Sequence, residues 1–278
     1  KGDQAMSGEF SIVVRGGGDI ATGTIHRLHR CGFSVLVLET DRPSAIRRHV
    51  AFSEAVYEGS WTVEGVEAVR VETPEEAVRR REQGKVPVLA DAECRCLEQI
   101  RPRVLVDAIL AKKNLGTNLE MADTVIALGP GFTAGKDAHL VIETMRGHNL
   151  GRILTEGTAR PNTGVPGVIA GFGKERVIHS PADGRMVNCS RIGDLVEKGQ
   201  IIAHVGQTPV RASLTGVLRG LLRDGYPVTK GFKIADIDPR ESEQKNCFTI
   251  SDKARCIAGG VLEGILSRER VQFLQICV

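Results

Sequence analysis

The stretch Ile12-Val13-Val14-Arg15-Gly16-Gly17-Gly18-Asp19-Ile20-Ala21-Thr22-Gly23 decides how the rest of this chain is read. A short apolar run meets three glycines and passes, almost without a loop, into residues with helical spacing. A second apolar run at residues 35–38 ends on Glu39. Strand, glycine turn, helix, strand and acid is the order in which a nucleotide-binding βαβ unit begins. Gly16-x-Gly18-x-x-Ala21 matches the G-x-G-x-x-[GA] pattern, in which the first glycine permits a tight turn and the second lets the backbone approach a pyrophosphate. The amides from Gly18 to Ile20 would then point at the anion. Gly16, Gly17, Gly18, Asp19 and Ile20 are therefore candidate ligand-binding residues, although the Asp19 carboxylate would repel a phosphate unless it faces away or meets a metal.

Glu39 stands 23 residues beyond Gly16, where a strand-end carboxylate can accept both hydroxyls of a ribose. That favours a free 2′-hydroxyl, whereas Arg42 is placed to take a 2′-phosphate, so both forms of a dinucleotide stay open. Asp107-Ala108-Ile109-Leu110-Ala111-Lys112-Lys113-Asn114 leaves another apolar run on the edge where open α/β sheets bind ligands. Lys112, Lys113 and Asn114 join the candidate set as sources of charge and hydrogen-bond donors. Gly129-Pro130-Gly131-Phe132 leaves a further strand on that edge.

Outward from this core, residues 10–15, 34–38, 86–90, 104–107 and 124–128 read as strands. Residues 20–31, 45–49, 74–83 and 93–100 read as helices, the third opened by Thr73-Pro74-Glu75-Glu76. Short pieces at residues 55–58, 62–63 and 68–71 have strand-like composition. Alternation at this spacing predicts a Rossmann-like parallel sheet over residues 8–150. Past Gly129 glycine, proline and threonine become dense. Val196-Glu197-Lys198-Gly199-Gln200-Ile201-Ile202-Ala203 is echoed 32 residues later by Val228-Thr229-Lys230-Gly231-Phe232-Lys233-Ile234-Ala235. Two such copies would close a small β-sandwich. Residues 177–238 thus resemble the barrel-sandwich hybrid of biotinyl and lipoyl domains, within a β-rich domain expected at 151–240. The link Gly206-Gln207-Thr208-Pro209 lacks that family's carrier lysine, so the carrier function is not transferred. Residues 251–267 predict a helix, within a segment 241–278 expected to pack back on the first domain, with Gly259-Gly260 allowing close approach.

Composition bounds the rest. The chain has 278 residues, 41% hydrophobic and 26% charged, with a formal charge of +3. This is a globular composition, too weakly and evenly charged to argue for nucleic acid. No apolar run approaches the roughly 20 residues that span a bilayer. Residues 1–7 read as an unordered cloning remnant. Seven cysteines without a secretory signal point to reduced thiols and a cytoplasmic setting. Cys94 and Cys96 form an isolated C-x-C, and Cys31, Cys189, Cys247, Cys256 and Cys277 read as buried small hydrophobes. Asp137, His139, Glu143 and His148 match no compact metal spacing, so no metal site is assigned. No G-x-S-x-G, Walker A lysine, H-E-x-x-H or nucleophile–base pair is present, and no catalytic residue is legible.

The motifs V-V-R-G-G-G-D-I-A-T-G, L-A-K-K-N (residues 110–114), A-L-G-P-G-F (residues 127–132) and G-D-L-V-E-K-G-Q (residues 193–200) together resemble the YqeB-type family. These are accessory proteins of the selenium-dependent molybdenum hydroxylase system. The first domain is also similar, more loosely, to the Rossmann part of XdhC-type chaperones, which deliver the molybdenum cofactor. The resemblance implies a maturation factor whose partner is the apo-hydroxylase, with a homo-oligomeric state left open. The implied ligand is a dinucleotide, either NAD(P) or molybdopterin-type. The alternative is an NAD(P)-linked oxidoreductase of the same pathway.

Overall fold

In the computed structural model, which describes residues 10–164 and 167–276 with side chains through residue 268, β1 (Ile12–Arg15) is the middle strand of a nine-stranded sheet. On one side of it lie β2 (Val35–Glu39), β5 (Val86–Ala90), β4 (Val66–Val71) and β3 (Ser60–Val63). On the other lie β6 (Val104–Asp107), β7 (Thr124–Leu128), β9 (Leu140–Ile142) and β10 (Ile153–Leu154). The seven strands from β4 to β9 pair in parallel, and β3 and β10 add antiparallel edges. β3 turns into β4 through Glu64 and Gly65, both at positive φ (45° and 80°), as a tight two-residue hairpin requires. A two-stranded ribbon of β8 (Thr133–Ala134) and β11 (Gly157–Thr158) stands apart.

The strand order reverses at β1. The chain builds outward through β2 on one side and later returns from β5 to β6 on the other. At such a reversal the loops on the carboxyl edge diverge and leave a crevice.

Helix α1 (Asp19–Arg30) follows the glycine turn and buries Ala21, Ile25 and Leu28. α3 (Pro74–Glu82) begins as its sequence predicts, with Thr73 Oγ1 accepting from Glu76 N at 3.2 Å. Residues 55–58, read as strand, form the short helix α2 (Ala55–Glu58). Residues 93–100, read as a helix, give only a 3-10 turn at Arg95–Glu98. Cys94 is left-handed there (φ 58°), and the Asp91 carboxylate accepts from Arg95 N and Cys96 N, which fixes a tight turn. The long C-terminal helix α4 (Asp252–Ile276) packs on α1, with Gly23 against Ala254.

These connections correct the expected Rossmann-like sheet followed by a barrel-sandwich-hybrid-like domain. The sheet is mixed, not parallel throughout. β6 reaches β7 through a loop with a 3-10 turn, and β7 reaches β9 by way of β8, in neither case through a crossover helix. The chain also divides differently. One compact unit takes the chain up to Pro43, Phe52–Asn162 and everything from Ile250; the other comprises Ser44–Ala51 and Thr163–Thr249.

The second unit holds two four-stranded antiparallel sheets. One is ordered β12 (Val177–His179), β19 (Lys233–Asp238), β17 (Gly216–Leu221), β14 (Leu195–Val196). The other is ordered β16 (Thr208–Arg211), β15 (Ile201–Val205), β13 (Gly184–Asn188), β18 (Pro227–Val228). Each repeat copy is divided between them, β14 and β19 in the first, β15 and β18 in the second. Met186, Ile202, Leu218, Leu221 and Ile234 are fully buried in this unit. Each such side chain contributes about 1.5–3 kcal/mol. Residues 45–49, read as a helix, instead bend at Ile46 and Arg47 into a 3-10 turn at Arg48–Val50. There Ile46 O accepts from Leu221 N at 2.8 Å.

Candidate ligand-binding cleft

At the carboxyl edge beside β1 lies a cleft of about 610 Å³, a size that suits a nucleoside-bearing ligand. It is lined by Gly16 and Arg15 from β1 and its turn, by Leu38, Glu39 and Thr40 from β2, and by Glu93 after β5. Ile109, Leu115 and Gly116 close it from the loop after β6.

The three glycines owe their identity to different causes. Gly16 sits at φ 96°, and a Cβ there would stand 3.1 Å from Ala108 O and Ile109 Cα. Gly17 is hemmed in by the buried segment Phe52–Glu54. Its carbonyl accepts from Ser53 N at 2.9 Å, and a Cβ would lie 3.0 Å from that nitrogen. Both glycines are thus required by the protein's own backbone. Gly18 differs: its φ of −65° suits any residue, and nothing lies within 4 Å of an added Cβ. The fold does not demand glycine at this helix N-cap, which leaves room for a ligand to approach the backbone.

Glu39 reaches back to the turn. Its Oε2 accepts from Gly17 N at 2.7 Å and its Oε1 from Thr40 N at 2.8 Å. The carboxylate is therefore held in one orientation at the cleft wall, with its remaining lone pairs available to hydroxyl donors. Burial pushes the Glu39 carboxyl up from its ordinary value, against the amide hydrogen bonds from Thr40 and Gly17 that favour ionisation.

Beneath the cleft is a buried charge pair that the sequence reading missed. Arg15 and Asp107 occupy partner positions in the register of β1 and β6. Arg15 Nη1 lies 3.5 Å from Asp107 Oδ2, and their side chains are only 5% and 1% exposed. Thr117 bridges them, accepting from Arg15 and donating to Asp107 Oδ2 at 2.6 Å. Arg15 Nη2 also donates to Ala92 O and Leu115 O, both at 3.2 Å. One guanidinium thereby fastens the loops after β5 and β6. The signal was legible: two four-residue runs, I-V-V-R and V-L-V-D, each end in a charge of opposite sign.

Other candidates fall elsewhere. Gly17 and Gly18, with Asp19 and Ile20 in the first turn of α1, stand next to the cleft and outside its lining. Lys112 and Lys113 are exposed and also outside it. Asn114 closes its own loop, exchanging hydrogen bonds with Thr117 N and O at 2.8 Å. That loop carries two left-handed non-glycine residues, Leu110 (φ 60°) and Lys112 (φ 63°). Gly131 braces it: a Cβ there would lie 2.7 Å from Lys113 N and Cα. His139, Asp137 and Glu143 each accept a backbone N–H, from Val125, Thr133 and Met145 respectively. Among the described residues, no group of three or more His, Cys, Asp or Glu could hold a metal ion. Cys94 and Cys96 are buried, and burial pushes the Cys94 thiol up to about 11 and the Cys96 thiol higher. Cys31, Cys189 and Cys256, read as buried, are exposed; Cys247 is buried, and Cys277 lies outside the described residues. Residues 1–7 lie outside them too.

No protein-family model matches the chain. It is 52% identical over 260 residues to uncharacterized protein YqeB of Escherichia coli strain K12, a match covering 94% of this chain and 48% of that protein. This is consistent with a YqeB-type family, and the chain spans about half the length of the curated relative it matches. Among solved structures it is similar to the ectoine utilization protein EutE (DoeB) of Ruegeria pomeroyi, at 13% identity and TM-score 0.25, covering 83% of this chain and 85% of that one. A succinylglutamate desuccinylase of Silicibacter sp. TM1040 matches at 14% identity and TM-score 0.24, covering 82% and 84%. Likenesses this slight carry no argument. Among the described residues, no helix is long and apolar enough to cross a membrane.

Proposed function

We propose that this chain is a cytoplasmic accessory factor in the maturation of a selenium-dependent molybdenum hydroxylase, and that it binds a nucleotide-containing ligand in the cleft beside β1. The observation that carries the binding part is the Glu39 carboxylate, held at the cleft wall by Gly17 N and Thr40 N. A carboxylate so fixed is suited to accept the two hydroxyls of a ribose. The amides of the first turn of α1, beside the open space at Gly18, are suited to an anionic group. The donor set thus fits the nucleoside and phosphate portions shared by NAD(P) and a molybdopterin dinucleotide. The hydroxylase context comes from the motifs shared with the YqeB-type family, and the apo-hydroxylase is the proposed partner. Binding is favoured over hydride transfer because no catalytic acid or base is legible in the sequence, and the charged donors Lys112 and Lys113 lie outside the cleft lining.

The test is calorimetric titration of the purified protein with NAD(H), NADP(H), ADP-ribose and the molybdenum cofactor. Glu39→Gln is expected to weaken a ribose-bearing ligand by about 1.5–3 kcal/mol, roughly ten- to hundredfold. Gly18→Ala should lower the unfolding midpoint only slightly, by the poorer N-cap that alanine makes, while weakening binding, because its methyl group meets ligand and not protein. Tight nicotinamide binding with hydride exchange and no affinity for the molybdenum cofactor would favour the oxidoreductase instead. If no dinucleotide binds, the reading fails.

A pH dependence follows from Glu39. Its folded-state value lies above the unfolded one, so the folded protein holds this proton more tightly. The penalty for burying the ionised form is present above the folded value and is relieved as pH falls through it. Protonation also removes the acceptor for ribose. Affinity is therefore expected to fall on acidification, starting above the usual carboxylate range, whereas Glu39→Gln should bind with no such dependence.

A further inference from the structure

In the second unit, Cys189 Sγ lies 3.5 Å from Nδ1 of His204, and Cys189 is exposed. The strand end carrying the thiol is pinned in place. Cys189 N and Ser190 N both donate to Ile202 O, at 2.9 and 3.0 Å. The preceding residue is tied by Asn188 N to Asp224 Oδ1 at 2.7 Å and by Asn188 Nδ2 to Leu222 O at 3.0 Å. His204 has Val187 and Pro209 as its cross-strand neighbours, both uncharged and exposed. With the imidazole proton on Nε2, Nδ1 accepts from the thiol.

Other cysteines lack this arrangement. Cys94, Cys96 and Cys247 are buried. Cys256 donates to Leu150 O at 3.2 Å, a backbone carbonyl that cannot serve as a general base. Among the described residues no hydrogen-bonding base accompanies Cys31.

We propose that Cys189 and His204 form a thiol–disulfide exchange site that takes a low-molecular-weight disulfide. His204 Nδ1 accepts the thiol proton as Cys189 Sγ attacks one sulfur of R–S–S–R′. The Cys189–S–S–R bond forms, the original S–S bond breaks, and R′–S⁻ leaves and takes the proton from the imidazolium. Exchange needs only an accessible sulfur and a proton acceptor. Acyl transfer would also need free donors for an oxyanion, whereas Cys189 N and Ser190 N are both engaged by Ile202 O. The exposed Val187 and Pro209 offer apolar surface to the organic group.

The site is tested on the full chain with 5,5′-dithiobis(2-nitrobenzoate), following release of the aromatic thiolate. Adducts formed with oxidised glutathione are mapped by mass spectrometry over all seven cysteines. Near neutral pH Cys189 is expected to react first, and Cys189→Ser should remove the fastest phase. His204→Gln should slow that phase by about tenfold, with the difference closing in alkaline buffer where hydroxide takes the proton. A fastest phase at another cysteine overturns the assignment. So does a His204→Gln rate equal to the unmodified chain's, or slowed equally at every pH, which would make the imidazole a merely steric neighbour.

Discussion

Replacing Asp107 with alanine is expected to destabilise the first unit by about 3–5 kcal/mol, because it strands the Arg15 guanidinium in a site with almost no solvent access. Three of the groups that surround Arg15 would remain, namely Thr117 Oγ1, Ala92 O and Leu115 O, but none carries a charge. Thr117 Oγ1 would also lose its acceptor. Urea unfolding of the variant measures the loss. The double variant Arg15→Met, Asp107→Ala should be more stable than Asp107→Ala alone, since removing both charges removes the unpaired one. If the single variant unfolds at the unmodified midpoint, the pair is not the fastening described here. Because the same guanidinium ties the loops after β5 and β6, Asp107→Ala should also weaken ligand binding at the cleft.

The second large effect is expected where α4 meets its surroundings. A Cβ on Gly260 would fall on Gly151 O, well inside van der Waals contact, and within 3.2 Å of Ile142 Cγ2. The obstruction is backbone, which cannot swing aside. Gly260→Ala is therefore expected to lower stability by about 3 kcal/mol, at the upper end of overpacking. Its neighbour behaves oppositely. A Cβ on Gly259 would meet only the flexible end of Arg27, at 3.1 Å. There the helix-propensity gain of about 0.8–1 kcal/mol should dominate, so Gly259→Ala is expected to be neutral or stabilising. Thermal unfolding of the pair checks the contrast, and equal shifts in both would refute the close α4 approach. Gly23 in α1 makes the matching approach, with a Cβ only 2.7 Å from that of Ala254.

Of the residues singled out in the sequence, only Gly16 and Glu39 line the cleft, and both come from local pattern. The turn at Gly16 to Gly18 and the strand that ends on Glu39 are set by short-range pattern, and each lies within a few residues of its expected place. Helix starts with a side-chain cap and proline, as at Thr73 and Pro74, were equally legible. The failures have a common cause. Residues 45–49, 55–58 and 93–100 are short, and periodicity over so few residues does not distinguish a helix from a 3-10 turn or a strand. The Rossmann-like reading failed for a related reason: strand spacing does not say whether a connection is a helix or a loop, nor whether an edge strand runs antiparallel. Cys189 was read as buried from its residue type, whereas it follows Val187 on the exposed face of the strand whose Met186 enters the core.

By itself, the sequence determined that an apolar strand enters a glycine turn, that a helix follows, and that a carboxylate ends the next strand. It also determined the 32-residue repeat and the paired glycines of the last helix. Only the tertiary structure decided what these features do. It brought Glu39 onto Gly17 N, spanning 22 residues, and Asp107 onto Arg15, spanning 92. It assigned Gly16 and Gly17 to backbone crowding and left Gly18 open. It carried Lys112 and Lys113 away from the cleft their sequence position suggested. Local pattern is written in neighbouring residues, whereas the identity of a buried partner depends on which strands become adjacent, and that is fixed by packing across the whole chain.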